Sequence, residues 1–434
     1  MESQQQTLSN LDLRDDYDPD SMPVEQARKL IRQFLTPLTE QKTVPLHTAL
    51  HRTLAADVLS PINVPPHDYS AMDGYALRFA DLENNVARFT IVDKAYAGHP
   101  FAGAVQVGEC VRIMTGALIP DDCDCVVMQE QVMLDGDTIS LPLTMRRGQN
   151  IRRVGEDMLQ NSTVLVRGQL ICPAEMGLLA SLGFNEVTVY RKLRVAIFST
   201  GDELQQPGST LARGQIYDSN RYSLLGLLSE PGIEIRDMGN VRDDKSSIKS
   251  AFMEAAQQAD VVITSGGVSV GEADYVKQLL AEIGEVVFWK IAMKPGRPFA
   301  FGRIGTYEKN GASAGNSTCH FFGLPGNPVA VMVTFQQLVR DALRVLMGQQ
   351  PKPAFTFKVT CVSAIKKIPG RTEFQRGILS QDANGVWSVR TTGEQGSGIL
   401  SSMSKANCFI VLPVSQGNVG AGTVVDVQFF SGVT

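Results

Sequence analysis

Three carboxylates and three cations, each next to a run of small residues, are the side chains here best placed to do chemistry together. Glu203 closes Phe198-Ser199-Thr200-Gly201-Asp202-Glu203, Asp243 follows Arg242, and Asp274 follows Ser265-Gly266-Gly267-Val268-Ser269-Val270-Gly271-Glu272-Ala273. Carboxylates of this kind could hold Mg²⁺, a hard cation that takes oxygen ligands and is often shared with substrate phosphates. Lys290, Lys294 and Arg297 offer positive charge to an anionic substrate. Together these sets suit phosphoryl-type chemistry or oxyanion binding. Taken singly, each carboxylate is more often a helix N-terminal residue serving the dipole, and each lysine is more often solvated. Their joint placement at the ends of apolar runs favours the functional reading.

The elements that must position them come next. Val261–Thr264 reads as a buried strand ending in a turn of small residues, and Asp274 opens a helical pattern through Val276, Leu279, Leu280 and Ile283. Gly266, Gly267 and Gly271 allow close approach of backbone N–H groups, with Ser265 and Ser269 adding hydroxyls, as a bound anion requires. The loop matches neither G-x-x-x-x-G-K-[ST] nor G-x-G-x-x-G. Strands are expected at Arg194–Ser199, Ile233–Val241, Val286–Met293, Phe299–Gly302 and Phe321–Leu324, and helices at Asn220–Ser229, Lys245–Gln257 and Pro328–Leu346. This alternation predicts a parallel sheet covered on both faces, with ligands beyond the strands' carboxyl ends. Gly323-Leu324-Pro325-Gly326-Asn327-Pro328 lies at one such end.

The rest of the chain has a different texture. Short β-type runs (Phe89–Val92, Val105–Ile113, Cys125–Gln129, Thr138–Leu141) lie between residues 60 and 157, and residues 355–434 again read as a compact all-β unit. The fold class is multidomain α/β plus all-β. Its expected parts are an acidic disordered tail (1–20), an αβ domain (21–42 and 190–350), a connecting domain (43–59 and 158–189), a β-rich domain (60–157) and a C-terminal β-barrel-like domain (351–434). The polar Gly305–Ser317 insert is expected to be a mobile loop.

Composition narrows the function. The 434 residues are 43% hydrophobic and 20% charged, with a net charge of −5. Six acids and one arginine in residues 1–20 account for that net charge, so the remainder is balanced and unlike a nucleic-acid-binding surface. No leader-like or membrane-spanning apolar run is apparent. Seven scattered cysteines, including Cys123-Asp124-Cys125, fit free thiols in a reducing cytoplasm better than a metal or redox site.

Three further motifs are too polar for their apolar settings. They are Tyr69-Ser70-Ala71-Met72-Asp73-Gly74-Tyr75-Ala76, Arg112-Ile113-Met114-Thr115-Gly116-Ala117, and Asn150-Ile151-Arg152-Arg153-Val154-Gly155-Glu156-Asp157. An interdomain salt-bridge cluster is the competing reading of the last.

From about residue 20 onward, these motifs in this order resemble the molybdopterin molybdenumtransferase family, the bacterial relatives of the gephyrin E domain. The match includes Ser70–Ala76, Arg112–Gly116, Ser199–Leu204, Thr264–Gly271, Lys294-Pro295-Gly296-Arg297-Pro298 and Gly323–Pro328. The resemblance implies insertion of molybdenum from molybdate into adenylylated molybdopterin, with Mg²⁺-dependent release of AMP. It also implies a homodimer in which the αβ domain of one subunit faces the β-rich domain of the other, bringing in Asp73, Thr115, Arg152 and Asp157. By motif position, Glu203, Asp243 and Asp274 handle metal and substrate with Lys290 and Lys294 nearby. Ser265, Gly266, Gly267, Ser269, Arg297, Pro325 and Pro328 line the substrate, and Arg371 and Ser397 approach the oxyanion. Molybdopterin adenylyltransferase and downstream molybdenum cofactor proteins are the implied partners. The chain departs from the common family pattern with Arg297, Ala330 and Gly398, where family members often carry Lys, Ser and a side chain. Two other readings are an adenylyltransferase, normally a much shorter protein, and a non-catalytic gephyrin-like scaffold.

Overall fold

The computed structural model describes residues 21–141, 145–266, 274–304, 319–350 and 353–430. The acidic tail, Gly267, Ser269 and the Gly305–Ser317 insert lie outside the described residues.

Apolar runs long enough to be buried on both faces build the central sheet. Its strands are β1 (Leu193–Thr200), β2 (Ile233–Val241), β3 (Val261–Ser265), β4 (Gly284–Lys290), β6 (Pro298–Ile304) and β7 (Cys319–Leu324), in the order β2-β1-β3-β7-β6-β4. A two-residue strand, β5 (Met293–Lys294), leaves this sheet between β4 and β6. Helices α1 (Val24–Phe34), α2 (Ser219–Leu228), α3 (Lys245–Gln258), α4 (Asp274–Ile283) and α5 (Pro328–Thr334) accompany the sheet. Val195, Ile197, Ile263 and Phe322 pack with α1, α2 and α5 in one core cluster. Ala196, Phe198, Val262 and Phe321 pack with α3 and Leu279 and Leu280 of α4 in another. That alternation along each strand is the period-two signature of a sheet covered on two sides.

The expectation of a wholly parallel sheet needs correction. β1, β2, β3 and β7 are parallel, but β6 pairs antiparallel with both β7 and β4. The reason is the short connection from β4 to β6, which permits an antiparallel return but not a crossover helix. Because β6 alone is reversed, its first residue, Pro298, sits at the edge where the other strands end. The expected strand Val286–Met293 also stops at Lys290, and Met293 joins β5 instead. The expected Val105–Ile113 strand begins only at Glu109. The run Pro328–Leu346 is helical, with a π turn at Phe335–Val339 where the Gln337 carbonyl accepts from Arg28 Nε at 2.8 Å.

The C-terminal strands are β8 (Thr356–Cys361), β9 (Thr372–Gln381), β10 (Trp387–Thr391), β11 (Cys408–Leu412) and β12 (Thr423–Phe429). They follow β9-β10-β8-β12-β11 and close through β9–β11, giving a five-stranded barrel. β5 pairs in parallel with the start of β9, aligning Met293 with Thr372 and Lys294 with Glu373. A separate six-stranded sheet spans Gly74–Ser140, and two small two-stranded sheets join Gln41–Pro45 to Glu186–Tyr190 and Val58–Leu59 to Thr163–Leu165. Among the described residues, no helix is long and apolar enough to cross a membrane.

Candidate functional site

The carboxyl edge of the central sheet collects the polar loops. Ser265 ends β3 fully buried, and its Oγ donates to the Pro325 carbonyl at 3.3 Å. Gly266 N–H donates to the Leu324 carbonyl at 3.2 Å, so the loops after β3 and β7 are stitched side by side. Gly266 has φ +93°, and a Cβ there would lie 2.7 Å from the Thr200 carbonyl oxygen; glycine alone fits both constraints. Asn220, in the first turn of α2, donates to Ser265 Oγ at 2.9 Å and to the Gly326 carbonyl at 2.7 Å. With both N–H groups committed, Asn220 Oδ1 is a buried acceptor with no partner, as is Thr200 Oγ1 at the end of β1. Such atoms are costly unless a ligand satisfies them.

The acidic loops sit beside these. Glu203 folds back over Gly201, where an added Cβ would come within 2.6 Å of Glu203 Oε2. Asp243 N–H donates to Asp202 Oδ1 at 3.3 Å, and Asn240 Nδ2 donates to the Gly201 and Leu204 carbonyls at 3.2 Å each, joining the loops after β1 and β2. Asp274 is the first residue of α4; its side chain lies outside the described residues. Among the described residues, no group of three or more His, Cys, Asp or Glu is gathered around one point. The carboxyl edge nevertheless carries oxygens of the donor type Mg²⁺ takes (Glu203, Asp202, Asp243, Thr200 Oγ1 and Asn220 Oδ1), so their chemistry suits that ion.

The basic side of the edge is built at the seam with the barrel. Lys290 closes β4, and its carbonyl accepts from Met22 N at 2.7 Å. The Arg297 carbonyl accepts from Ile291 N at 2.7 Å, and its guanidinium donates to buried Ser21 Oγ at 3.2 Å. Lys294 Nζ lies 3.4 Å from Glu373 Oε1 across the β5–β9 pairing. Thr372 N donates to the Ala292 carbonyl at 2.9 Å, which sets neighbouring Arg371 at the same seam. Val329 N, just after Pro328, donates to the Ser397 carbonyl at 3.0 Å. The structure therefore joins Ser265 and Gly266 to the Leu324–Pro325 loop, sets Ser397 against the residue after Pro328, and places Lys294 and Arg371 at the β5–β9 seam. Asn220, Thr200, Glu373 and the buried Lys367 belong to the same surroundings and escaped sequence reasoning. Asn220 looks like ordinary helix-start chemistry beside the N-cap Asp218, whose carboxylate does cap Arg221 N at 3.1 Å. Glu373 falls in the stretch expected only as a compact all-β unit, so no local signal marked it.

The second polar cluster is held within its own sheet region. Asp73 Oδ1 accepts from Thr115 N at 2.8 Å and from Thr115 Oγ1 at 2.7 Å. Those bonds, with a smaller contribution from Arg112, hold the Asp73 carboxyl below its usual range. Arg112 donates to the Tyr75 hydroxyl at 2.7 Å and lies over its ring at 4.8 Å. Arg152 pairs with Glu156 at 2.7 Å and sits opposite Tyr69 in a two-residue ladder. Asp157 N donates to the Val64 carbonyl at 3.0 Å, leaving its exposed carboxylate to solvent. Asp73, Thr115 and Arg152 thus share one surface through the Tyr69–Gly74 segment.

Comparison with known proteins gives a consistent answer along the chain. Residues 22–183 match the MoeA N-terminal region (domain I and II), residues 196–345 a probable molybdopterin binding domain, and residues 358–430 the MoeA C-terminal region (domain IV). The chain is 45% identical over 413 residues to the molybdopterin molybdenumtransferase of Haemophilus influenzae, covering 94% of this chain and 99% of that protein. It is 34% identical to a Nostoc protein of the same name, covering 88% of this chain and 87% of the relative. Its structure resembles the molybdopterin biosynthesis moeA protein of Pyrococcus horikoshii with a TM-score of 0.79 at 29% identity, over 94% of this chain and all of that one. With all parts matched in order and the sheet edge built as described, the chain belongs to the molybdopterin molybdenumtransferase family and takes part in molybdenum cofactor biosynthesis.

Proposed function

We propose that the carboxyl edge of the central sheet is where molybdenum from molybdate enters adenylylated molybdopterin, with release of AMP. The observation that supports this reading is the stitching of the Ser265–Gly266 loop to the loop after β7, whose continuation at Val329 contacts Ser397, with Lys294 and Arg371 at the neighbouring β5–β9 seam. A ligand spanning that distance has hydroxyls, N–H donors and buried acceptors at one end and cations at the other. The dithiolene sulfurs belong to the substrate, so no cysteine ligand is required, in keeping with buried free thiols at Cys110, Cys123, Cys125, Cys319, Cys361 and Cys408. The chain's residues hold the oxyanion beside those sulfurs, which turns an encounter of two anions into a positioned reaction. Lys294 and Arg371 offset the repulsion between them.

Glu203, Asp243 and Asp274 are the residues that would hold Mg²⁺, with the orphaned Thr200 oxygen at the start of the Glu203 loop and that of Asn220 beside Ser265. Bound there, the ion supplies Lewis-acid stabilisation of the phosphoanhydride that yields AMP. Gly267 and Ser269 extend the anion loop in this reading, and Lys290 and Arg297 add to the field. Asp73, Thr115, Arg152 and Asp157 act on the edge of a second copy in a homodimer, an arrangement supported by the family resemblance. A cytoplasmic enzyme that receives its substrate from molybdopterin adenylyltransferase follows from the same reading.

The test is AMP release from adenylylated molybdopterin by purified protein, with and without molybdate and with Mg²⁺ or a chelator. Molybdate-stimulated, chelator-sensitive release that is lost in Asp274→Ala is the expected result. Bound substrate with no release would overturn the catalytic reading.

A further inference from the structure

Glu373 is the acid least expected where it stands. It is 4% exposed on β9, where Oε1 faces Lys294 Nζ at 3.4 Å and Oε2 accepts from Gln375 Nε2 at 2.7 Å. Gln375 is itself buried, so the carboxylate is gripped from the barrel side and offers its free oxygen to the αβ side. Lys294 is on β5, whose two residues pair in register with Thr372 and Glu373. The Lys294 side chain is about half exposed, so it is not enclosed by the barrel.

A second buried charge lies close by. Lys367 is 4% exposed, and its Nζ donates to the Gln416 carbonyl at 2.9 Å and to those of Ile368 and Val414 at 3.5 Å. Burial lowers its pKa; Glu373 opposes that shift, while Lys294 and Arg371 reinforce it. Lys367 is thus held by backbone carbonyls, and Lys294 is the cation in direct contact with the Glu373 carboxylate.

We propose that Glu373 is a positioning residue for the oxyanion half of the site: it anchors Lys294 at the seam. It touches no substrate. Its influence passes through Lys294, whose long side chain would otherwise spend its rotamer freedom on ordering when the oxyanion arrives. This inference rests on the functional reading above, which places the oxyanion beside Lys294.

Two measurements test it, one independent of activity. In the first, molybdate dependence of AMP release is compared for wild type, Glu373→Gln, Lys294→Gln and the double variant. Glu373→Gln should raise half-saturating molybdate about 3- to 10-fold, the scale of a partly lost charge-assisted contact, while the maximal rate stays within about twofold. The effect should vanish in the Lys294→Gln background, because positioning through Lys294 is non-additive. Gln375→Met, which frees one carboxylate oxygen but keeps the charge, should shift half-saturation in the same direction by less. In the second, methyl-¹³C labels on the lysine amines report Lys294 mobility without substrate. The signal should be ordered in wild type and become mobile in Glu373→Gln and, less so, in Gln375→Met.

Additive effects in the double variant, or an ordered Lys294 in both Glu373→Gln and Gln375→Met, would overturn the proposal. If molybdate fails to stimulate AMP release in wild type, the functional reading falls, and the mobility measurement still decides whether Glu373 anchors Lys294.

Discussion

Asn220 ties Ser265 to Gly326: one side-chain amide donates to the hydroxyl at 2.9 Å and to the carbonyl at 2.7 Å, joining the ends of two adjacent strands. Replacing it with leucine removes both bonds and leaves the Gly326 carbonyl and Ser265 hydroxyl short of a donor. The expected cost is about 1–3 kcal/mol in urea unfolding. Asn220→Asp keeps the shape but places a negative charge where a phosphorylated substrate would sit. AMP release should therefore fall further than the loss of stability accounts for, and wild-type kinetics in Asn220→Asp would remove Asn220 from the site.

Asp73 is fixed by two bonds from Thr115, and its carboxyl sits below the usual range. The direction of that shift favours its ionised form. Asp73→Asn preserves size while removing the charge, and AMP release should drop about 100-fold or more if this carboxylate serves the reacting centre. The unfolding midpoint should hardly move. A variant with wild-type turnover would assign the Asp73–Thr115 pair to local turn structure.

At the opposite edge of the sheet, Asp260 receives Arg191 through two bonds of 2.6 and 2.9 Å, and Arg194 at 3.1 Å. Burial, the largest influence, pushes its carboxyl upward, but hydrogen bonds from Arg191 and then Arg194 outweigh it and leave it lowered. The folded value is below the unfolded one, near 3.9, so this stabilisation is full above that pH and is lost as pH falls through the folded value. Asp260→Ala should cost about 1–3 kcal/mol at neutral pH, discounted for the partial exposure of Arg194, because it leaves the partly buried Arg191 with Glu40 as its remaining carboxylate. Urea titrations at pH 7 and pH 3 should show the gap between variant and wild type narrowing in acid.

Much of this was legible from residue order. Apolar runs and small-residue punctuation located β1, β3 and β7, because a strand buried on both faces must be continuously apolar, whereas β2 at the sheet's edge is largely exposed or half-buried. Ser265, Gly266, Pro325 and Pro328 could then be placed at one edge, since parallel strands end together. The reversal of β6 was less visible, because strand direction is set by the length and path of a connection rather than by strand composition. Asn220 and Glu373 were hidden for a related reason. Their importance comes from tertiary neighbours 45 and 79 positions away, Ser265 and Lys294, while locally they pass for a helix start and a strand residue.

His320 gives a second pH dependence, with a different window. It is buried in β7 with Nδ1 unpartnered; burial and then Arg303 push its pKa down to about 4, while Asp260 works against them. The unfolded chain binds a proton near pH 6.5, which the folded chain refuses until about pH 4. Stability is therefore full above about 6.5 and declines as pH drops toward 4, by on the order of 2–3 kcal/mol. His320→Leu should flatten that decline in a plot of unfolding free energy against pH. An unchanged slope would mean that another group carries it.

The pairing of β5 with β9 works as a registration pin between two separately built bodies. Only two residues are involved, yet side chains alternate faces along a strand, so a slip of one position would turn Lys294 away from Glu373 and toward the opposite side. The tolerance on assembling the site is accordingly a single residue. A barrel borrowed from a relative would have to arrive with its own copy of the short strand between β4 and β6. In structural terms, Met293-Lys294 belongs with the barrel even though the chain writes it between two strands of the central sheet.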